Sequence, residues 1–232
     1  MNTINIAPNL SVYKLTKRSL RDVSVISGRR TMNIISNQIE NSTLIDGAET
    51  VIFAAFQRYS RFKPQMKRYR QLAKQSNHIY VFGVPDEDLP PIENITYVPL
   101  NENDQLAKEW FLISYGRDYF TALATEEVTH IDDPDDKRQF KGIWTFDIAI
   151  VSMIYDWMAQ AVGMIQYTNP RDNANHTRQA QLLSNIMGRL SVRLLDDKPK
   201  DRPIHDEIQT IMKDGLYPIL KYLEEANPLP KN

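Results

Sequence analysis

With 28 lysines and arginines set against 29 aspartates and glutamates, this chain of 232 residues carries a formal charge of −1, which argues against bulk electrostatic attraction to nucleic acid or to a membrane surface. Hydrophobic residues make up 42% and charged residues 25%, the balance of a globular chain long enough to build a core without covalent staples. There is no cysteine, so disulfides, thiolate nucleophiles, cysteine-ligated zinc, iron–sulfur clusters and cysteine-attached chromophores are excluded.

The N-terminal MNTINIAPNL lacks the basic-then-apolar pattern of a signal peptide, and the cytoplasm is the expected location. Residues 15–44 read as helical, with Leu15, Leu20, Val23 and Ile26 followed by Ile34, Ile35 and Ile39, and with Gly28 breaking the run into two helices. Asp46-Gly47 is a turn signal. Residues 50–56 form a continuous apolar run rich in β-branched and aromatic side chains, the pattern of a strand covered on both faces. Residues 60–76 shift to helical period, with Phe62, Met66, Tyr69 and Ala73 on one face and Pro64 in a first turn that tolerates it. Residues 79–84 form a second buried strand. The three segments make a βαβ unit with parallel strands and a right-handed crossover. Residues 95–100 are a third strand. Two aromatic-rich runs, 109–115 and 119–126, flank Gly116-Arg117-Asp118 and read as an antiparallel hairpin. Residues 140–146 are a further strand.

After Asp147, a candidate helix cap, the chain turns helical. Ile148, Val151, Ile154, Tyr155, Met158, Val162 and Ile165 share a face, and Asp156 and Gln160 within that stretch suit a core helix rather than a membrane span. A second helix carries Leu182, Leu183, Ile186, Met187, Leu190 and Leu194. A third carries Ile204, Ile208, Ile211 and Met212, and a last short one ends near Glu225. The expectation is an α/β fold, a mixed sheet of a parallel βαβ unit followed by antiparallel strands, flanked by helices. Residues 1–147 form its core with N-terminal helices, and residues 148–232 form a helical extension packed on that core.

The concentrated charge lies between the first two buried strands. Arg58, Arg61, Lys63, Lys67, Arg68, Arg70 and Lys74 occur without an intervening acid. On a helix Lys63, Lys67, Arg70 and Lys74 fall on one face, which is either a solvated outer face or a docking surface for an acidic partner. A nucleic-acid surface is disfavoured by the neutral total charge and the absence of a helix-turn-helix or RNP pattern. Gln57, Arg58, Ser60 and Arg61 follow the carboxyl end of the first strand, where open α/β sheets bind ligands, and two arginines there suit a phosphate or carboxylate. The loop has no glycine, so a backbone phosphate cradle is missing.

The acidic run His130-Ile131-Asp132-Asp133-Pro134-Asp135-Asp136 lacks the glycine and terminal glutamate of an EF-hand and reads as a surface loop. It is also a candidate intermolecular partner for the basic helix, a route to a homo-oligomer that added salt would weaken. The aromatics Trp110, Phe111, Tyr115, Tyr119, Phe120, Trp144 and Phe146 read as sheet core with polar tips at its rim, or as the wall of a pocket. The four histidines stand apart, with no metal-ligand spacing, and no nucleophile elbow occurs. No catalytic constellation, metal site or cofactor is identified from the residues, and the expectation is that the protein is not an enzyme.

The blocks FAAFQRYSRFKPQMKRYRQLAKQSNHIYVFGVPD, ITYVPL, LAKEWFLISYG and FKGIWTFD resemble the DICT domain, a sensory module named for diguanylate cyclases and two-component systems. The resemblance runs from about residue 15 to about residue 163. It implies a bacterial signalling role, often in light-responsive proteins, beside sensor kinase, response regulator or diguanylate cyclase partners. It implies no activity and supplies no ligand-contacting residue. The sequence shows no kinase ATP lid, GGDEF stretch or receiver acidic pocket, so the expectation is signalling through another protein or through self-association. The alternatives are an anion-binding protein or small-molecule enzyme using Arg58 and Arg61, or a nucleic-acid-associated regulator using the basic helix.

Overall fold

The computed structural model describes residues 4, 6–19, 25–164, 173–195, 206, 209 and 210. Its helices are α1 (Val12–Ser19), α2 (Arg29–Leu44), α3 (Tyr59–Phe62), α4 (Met66–Ala73), α5 (Ile148–Ala161) and α6 (His176–Leu195). Its strands are β1 (Val25–Gly28), β2 (Val51–Arg58), β3 (His78–Val84), β4 (Ile95–Pro99), β5 (Glu109–Tyr115), β6 (Phe120–Glu127) and β7 (Gln139–Thr145). The strands form one mixed sheet in the order β1-β7-β6-β5-β2-β3-β4. β2, β3 and β4 run parallel, and β2–β5, β5–β6, β6–β7 and β7–β1 are antiparallel. The expected α/β class and mixed sheet are therefore present.

Period-two alternation along the central strands builds two cores. Ile52 and Ala54 of β2, Ile79 and Val81 of β3, Leu112 of β5 and Leu123 of β6 face α2, α4 and α6. Phe53, Ala55, Phe82, Phe111, Ile113 and Ala122 face α1 and α5. Helices cover both faces, which explains why β2 and β3 read as continuous apolar runs rather than alternating ones. The helix expected over 60–76 is a short turn of α3, a 3-10 turn at Lys63–Gln65, and α4. Proline at position 64 sits in that tight turn, where its missing N–H costs no helical hydrogen bond.

One element differs from expectation. Residues 25–28, read from the sequence as helix, form the edge strand β1, pairing antiparallel with residues 139–142 of β7. Val25 and Ile26 are β-branched, and β7 offers an unpaired edge more than a hundred residues away, a partner local periodicity does not register. Asp147 caps α5 as expected, its carboxylate accepting from Ala149 N–H at 2.8 Å and Ile150 N–H at 3.1 Å. α6 packs Leu182, Leu183, Ile186 and Leu190 into the α2/α4 core. Its Gln179 side chain accepts from the N–H of Phe120 and donates to its carbonyl, at 3.0 and 2.9 Å. The two further helices expected over residues 204–225 lie outside the described residues apart from positions 206, 209 and 210.

Candidate functional site

The site begins where β2 ends. Gln57 sits in the left-handed region at φ 65° yet is 2% exposed, and the β2–β3 register shifts between Ala55 and Arg58. A non-glycine residue in that region is uncommon and persists only where its surroundings hold it. They do so here through side-chain bonds. The Gln57 amide donates to Glu127 Oε2 at 2.7 Å, and its carbonyl oxygen accepts from Arg138 Nη2. Arg138, 1% exposed, forks onto both oxygens of Glu127, donating from Nε and Nη2 at 2.7 Å each. Burial pushes the Glu127 carboxyl up, but the bonds from Arg138 and Gln57 outweigh it and hold the group below its ordinary value. The Arg138 guanidinium also lies over the Phe140 ring, 5.3 Å from its centre.

Around this buried triad stand Arg29, first residue of α2, and Arg61 of α3. Asp135 bridges them, accepting from Arg61 Nη1 at 3.2 Å and from Arg29 Nη1. Arg61 Nη2 also donates to the Ile131 carbonyl at 2.7 Å, and Arg58 pairs with Asp132 at 3.2 Å. The acidic loop thus folds back on its own chain and engages the arginines at the start of the basic segment. Asp132 and Asp135 have partners in cis, because the loop joins β6 to β7 beside the end of β2. Burial, and then the neighbouring Arg138 charge, push Arg29 and Arg61 below the usual guanidinium range.

The four residues expected to form a ligand site are placed as follows. Gln57 is walled in by Glu127 and Arg138. Ser60 donates from its N–H and hydroxyl to Asp86 at 2.9 and 2.6 Å, so Asp86 covers the start of α3. Arg58 faces an open groove of about 380 Å3 with Val84, Glu127 and His130 in its wall. Arg61 lines a small cavity on the α2/α4 side, and Gln57 lies between the two. Arg29, Ser36 and Arg138, which complete that cavity, carry no signal in the sequence, since residues from α2, α3 and the start of β7 converge only through the sheet.

Lys63, Lys67, Arg70 and Lys74 are exposed along one side of the crossover. Lys63 pairs with Glu87 at 2.7 Å. Lys67, Arg70 and Lys74 form no ion pair among the described residues, whereas Arg68 turns inward onto the buried Glu40. Of the aromatics, Phe111, Tyr115 and Phe120 join the core under α5, Trp144, Phe146 and Tyr119 the opposite one, and Trp110 borders the small cavity, its ring edge-on to Phe140. Among the described residues there is no group of three histidine, aspartate or glutamate side chains placed to hold a metal ion, and no helix is long and apolar enough to cross a membrane.

Residues 9–128 match the family described as "Sensory domain in DIguanylate Cyclases and Two-component system". The match runs from the approach to α1 to the end of β6, and leaves Phe140–Asp147, one of the resembling blocks, beyond its end. No curated protein and no solved structure matches the chain. The matched span is more than half of the 232 residues, and the chain belongs to the DICT family of sensory domains.

Proposed function

We propose that the protein is a non-enzymatic sensory module of bacterial signal transduction, working in the cytoplasm by docking a signalling partner of the sensor kinase, response regulator or diguanylate cyclase kind. One observation carries the reading. Lys67, Arg70 and Lys74 stand exposed and unpaired on the outer side of the crossover, while Arg29, Arg58, Arg61 and Arg68 are each held by an acid of the same chain. A row of unsatisfied cations on a rigid helix steers an acidic protein surface and sets its orientation. The sequence-wide balance of charge favours a protein over nucleic acid as that partner.

Self-association is part of the proposal, on a surface other than the acidic loop. Capture of partners from a bacterial lysate, identified by mass spectrometry, tests the docking surface. The double variant Lys67→Glu/Arg70→Glu is expected to lose a signalling partner that the wild type retains, and the retained complex to dissociate as salt is raised. Retention of the same partner by the charge-reversed variant would sink the reading. The alternative of an anion-binding protein draws support from the arginines at the end of β2 and their two adjoining cavities.

A further inference from the structure

Beneath Arg29 and Arg61 lies a cavity of about 50 Å3 between α2, α4 and the sheet. That is room for a few waters or one small anion, not for an extended ligand. Its wall brings together the guanidiniums of Arg29, Arg61 and Arg138 with the hydroxyl of Ser36, beside the rings of Phe56 and Trp110. Two of these groups are buried without a partner, the Nε–H of Arg29 and the hydroxyl of Ser36, a residue only 7% exposed. Buried donors are satisfied in folded proteins almost without exception, so two orphans on one cavity wall mark a place where something binds. α2 also begins here. Its cap residue, Gly28, supplies no side-chain acceptor, and its first turn holds no acid to offset the positive end of this sixteen-residue helix.

The charges do not cancel. Arg29, Arg61 and Arg138 are met by Glu127 and Asp135, and Glu40, the acid in the wall, is answered by Arg68. One positive charge is left over in a cavity bordered by α2, α4 and the sheet, with Arg29 and Arg61 at its partly exposed mouth. We propose that this cavity binds one small oxyanion with a carboxylate or phosphate head, held by Arg29, Arg138 and Ser36 and closed in at the mouth by Arg61. Asp135, which already bridges Arg29 and Arg61 with its two oxygens, shows that these guanidiniums are spaced for a single carboxylate. An entering anion competes with Asp135 for them, and the loop over residues 128–138 loses its hold on α2 and α3 when the anion wins. This deepens the sensory reading above and rests on it for its biological use, giving the module a ligand class and a segment that responds.

The experiment is calorimetric titration of the full chain at constant ionic strength, with sodium acetate for a planar head, inorganic phosphate for a tetrahedral one, and chloride as the control. Saturable binding of one anion per chain in the millimolar range or tighter is expected for acetate or phosphate and not for chloride, and the tighter of the two identifies the head. Arg29→Gln is expected to weaken binding by roughly tenfold or more, the loss of one charge-assisted contact, and Asp135→Asn to strengthen it by removing the internal competitor. The Nε–H resonance of Arg29 is expected to move with the same saturation curve, a readout independent of overall stability. The inference is overturned if neither anion binds the folded wild type, or if Arg29→Gln and Asp135→Asn both bind as the wild type does. The Lys67→Glu/Arg70→Glu variant separates it from the docking proposal. Anion binding kept while the partner is lost upholds the cavity. A wild type that holds its partner but binds neither anion, with the partner lost in the variant, overturns the cavity alone.

Discussion

At the scale of single residues, Gln57 has the most to explain. Its backbone adopts a conformation that glycine takes readily and glutamine rarely, and its side chain is what compensates, by giving Arg138 an acceptor and Glu127 a donor inside the protein. Replacing it with alanine keeps the strained backbone and leaves both partners short of a bond. Gln57→Ala is therefore expected to destabilise the fold by about 1–3 kcal/mol in urea denaturation, and an unchanged midpoint would mean that Arg138 and Glu127 re-pair without it. Glu109 poses a different problem. It is fully buried at the start of β5, yet its carboxylate accepts from the Ser11 hydroxyl and from the N–H groups of Val12 and Tyr13 at 2.9 and 3.2 Å, tying down the start of α1. Burial outweighs those bonds and pushes the group up from 4.5 to about 7.

A carboxyl with a folded pKa above its unfolded one binds more protons in the folded state over the interval between the two. Its contribution is full below the unfolded value and is lost as pH climbs from 4.5 to about 7. The wild type is expected to lose stability from about pH 4.5 to about pH 7, by roughly 3 kcal/mol from this group. Glu109→Gln is expected to flatten that slope, and an unchanged slope in the variant would remove Glu109 as its origin. None of this was legible in the sequence, where Glu109 is an ordinary acid at the edge of an apolar run.

At the scale of elements, the docking of α6 decides what the C-terminal part contributes. The helix lies against α2 through the pair between Arg189 and Asp46, at 2.9 Å, and a bond from Arg189 Nε to Gln38 at 2.8 Å. The Asp46 side chain is 8% exposed, so removing its partner leaves a nearly buried carboxylate whose remaining hydrogen-bond donor among the described residues is the Asn185 amide, with Arg178 on the Asp46 carbonyl. Arg189→Ala is expected to cost about 2 kcal/mol and to raise amide exchange along α6 more than along α5. Equal exchange in both helices would mean that the apolar seam alone holds α6. Because Leu182, Leu183, Ile186 and Leu190 complete one face of the sheet, cutting the chain at residue 168 exposes core, and such a deletion reports on folding before it reports on partners. The βαβ unit, the hairpin and the Asp147 cap were readable because each rests on local pattern: apolar runs of strand length, a glycine between two aromatic runs, an acid just before a helix. β1 was not, because four residues of strand exist only by pairing with a distant edge.

At the scale of the whole molecule, charge is sorted by the fold rather than by the chain. The basic segment is continuous in sequence but divides in space: Arg58 and Arg61 turn to the acidic loop, Arg68 to the interior, and Lys67, Arg70 and Lys74 to the outside. The loop's contacts are largely exposed, so neutralising Asp132 and Asp135 together is expected to change stability by no more than about 1 kcal/mol. It is also expected to leave the mass measured by light scattering unchanged at both low and high salt. A mass that falls on neutralising the loop would restore it as a contact between copies.

By itself the sequence determined the α/β class, the parallel unit at its centre and the family, because all three are written in runs of neighbouring residues whose apolar faces and turn chemistry act locally. It also placed a basic surface and four candidate ligand residues at the end of β2. Which of those arginines remain free, that Ser60 is answered by Asp86, and that Arg29, Ser36 and Arg138 meet around one cavity were decided only by the tertiary structure. Those facts depend on side chains brought together across the sheet from segments more than a hundred residues apart, and the energy of a buried charge is set by what surrounds it in space, not by its neighbours along the chain.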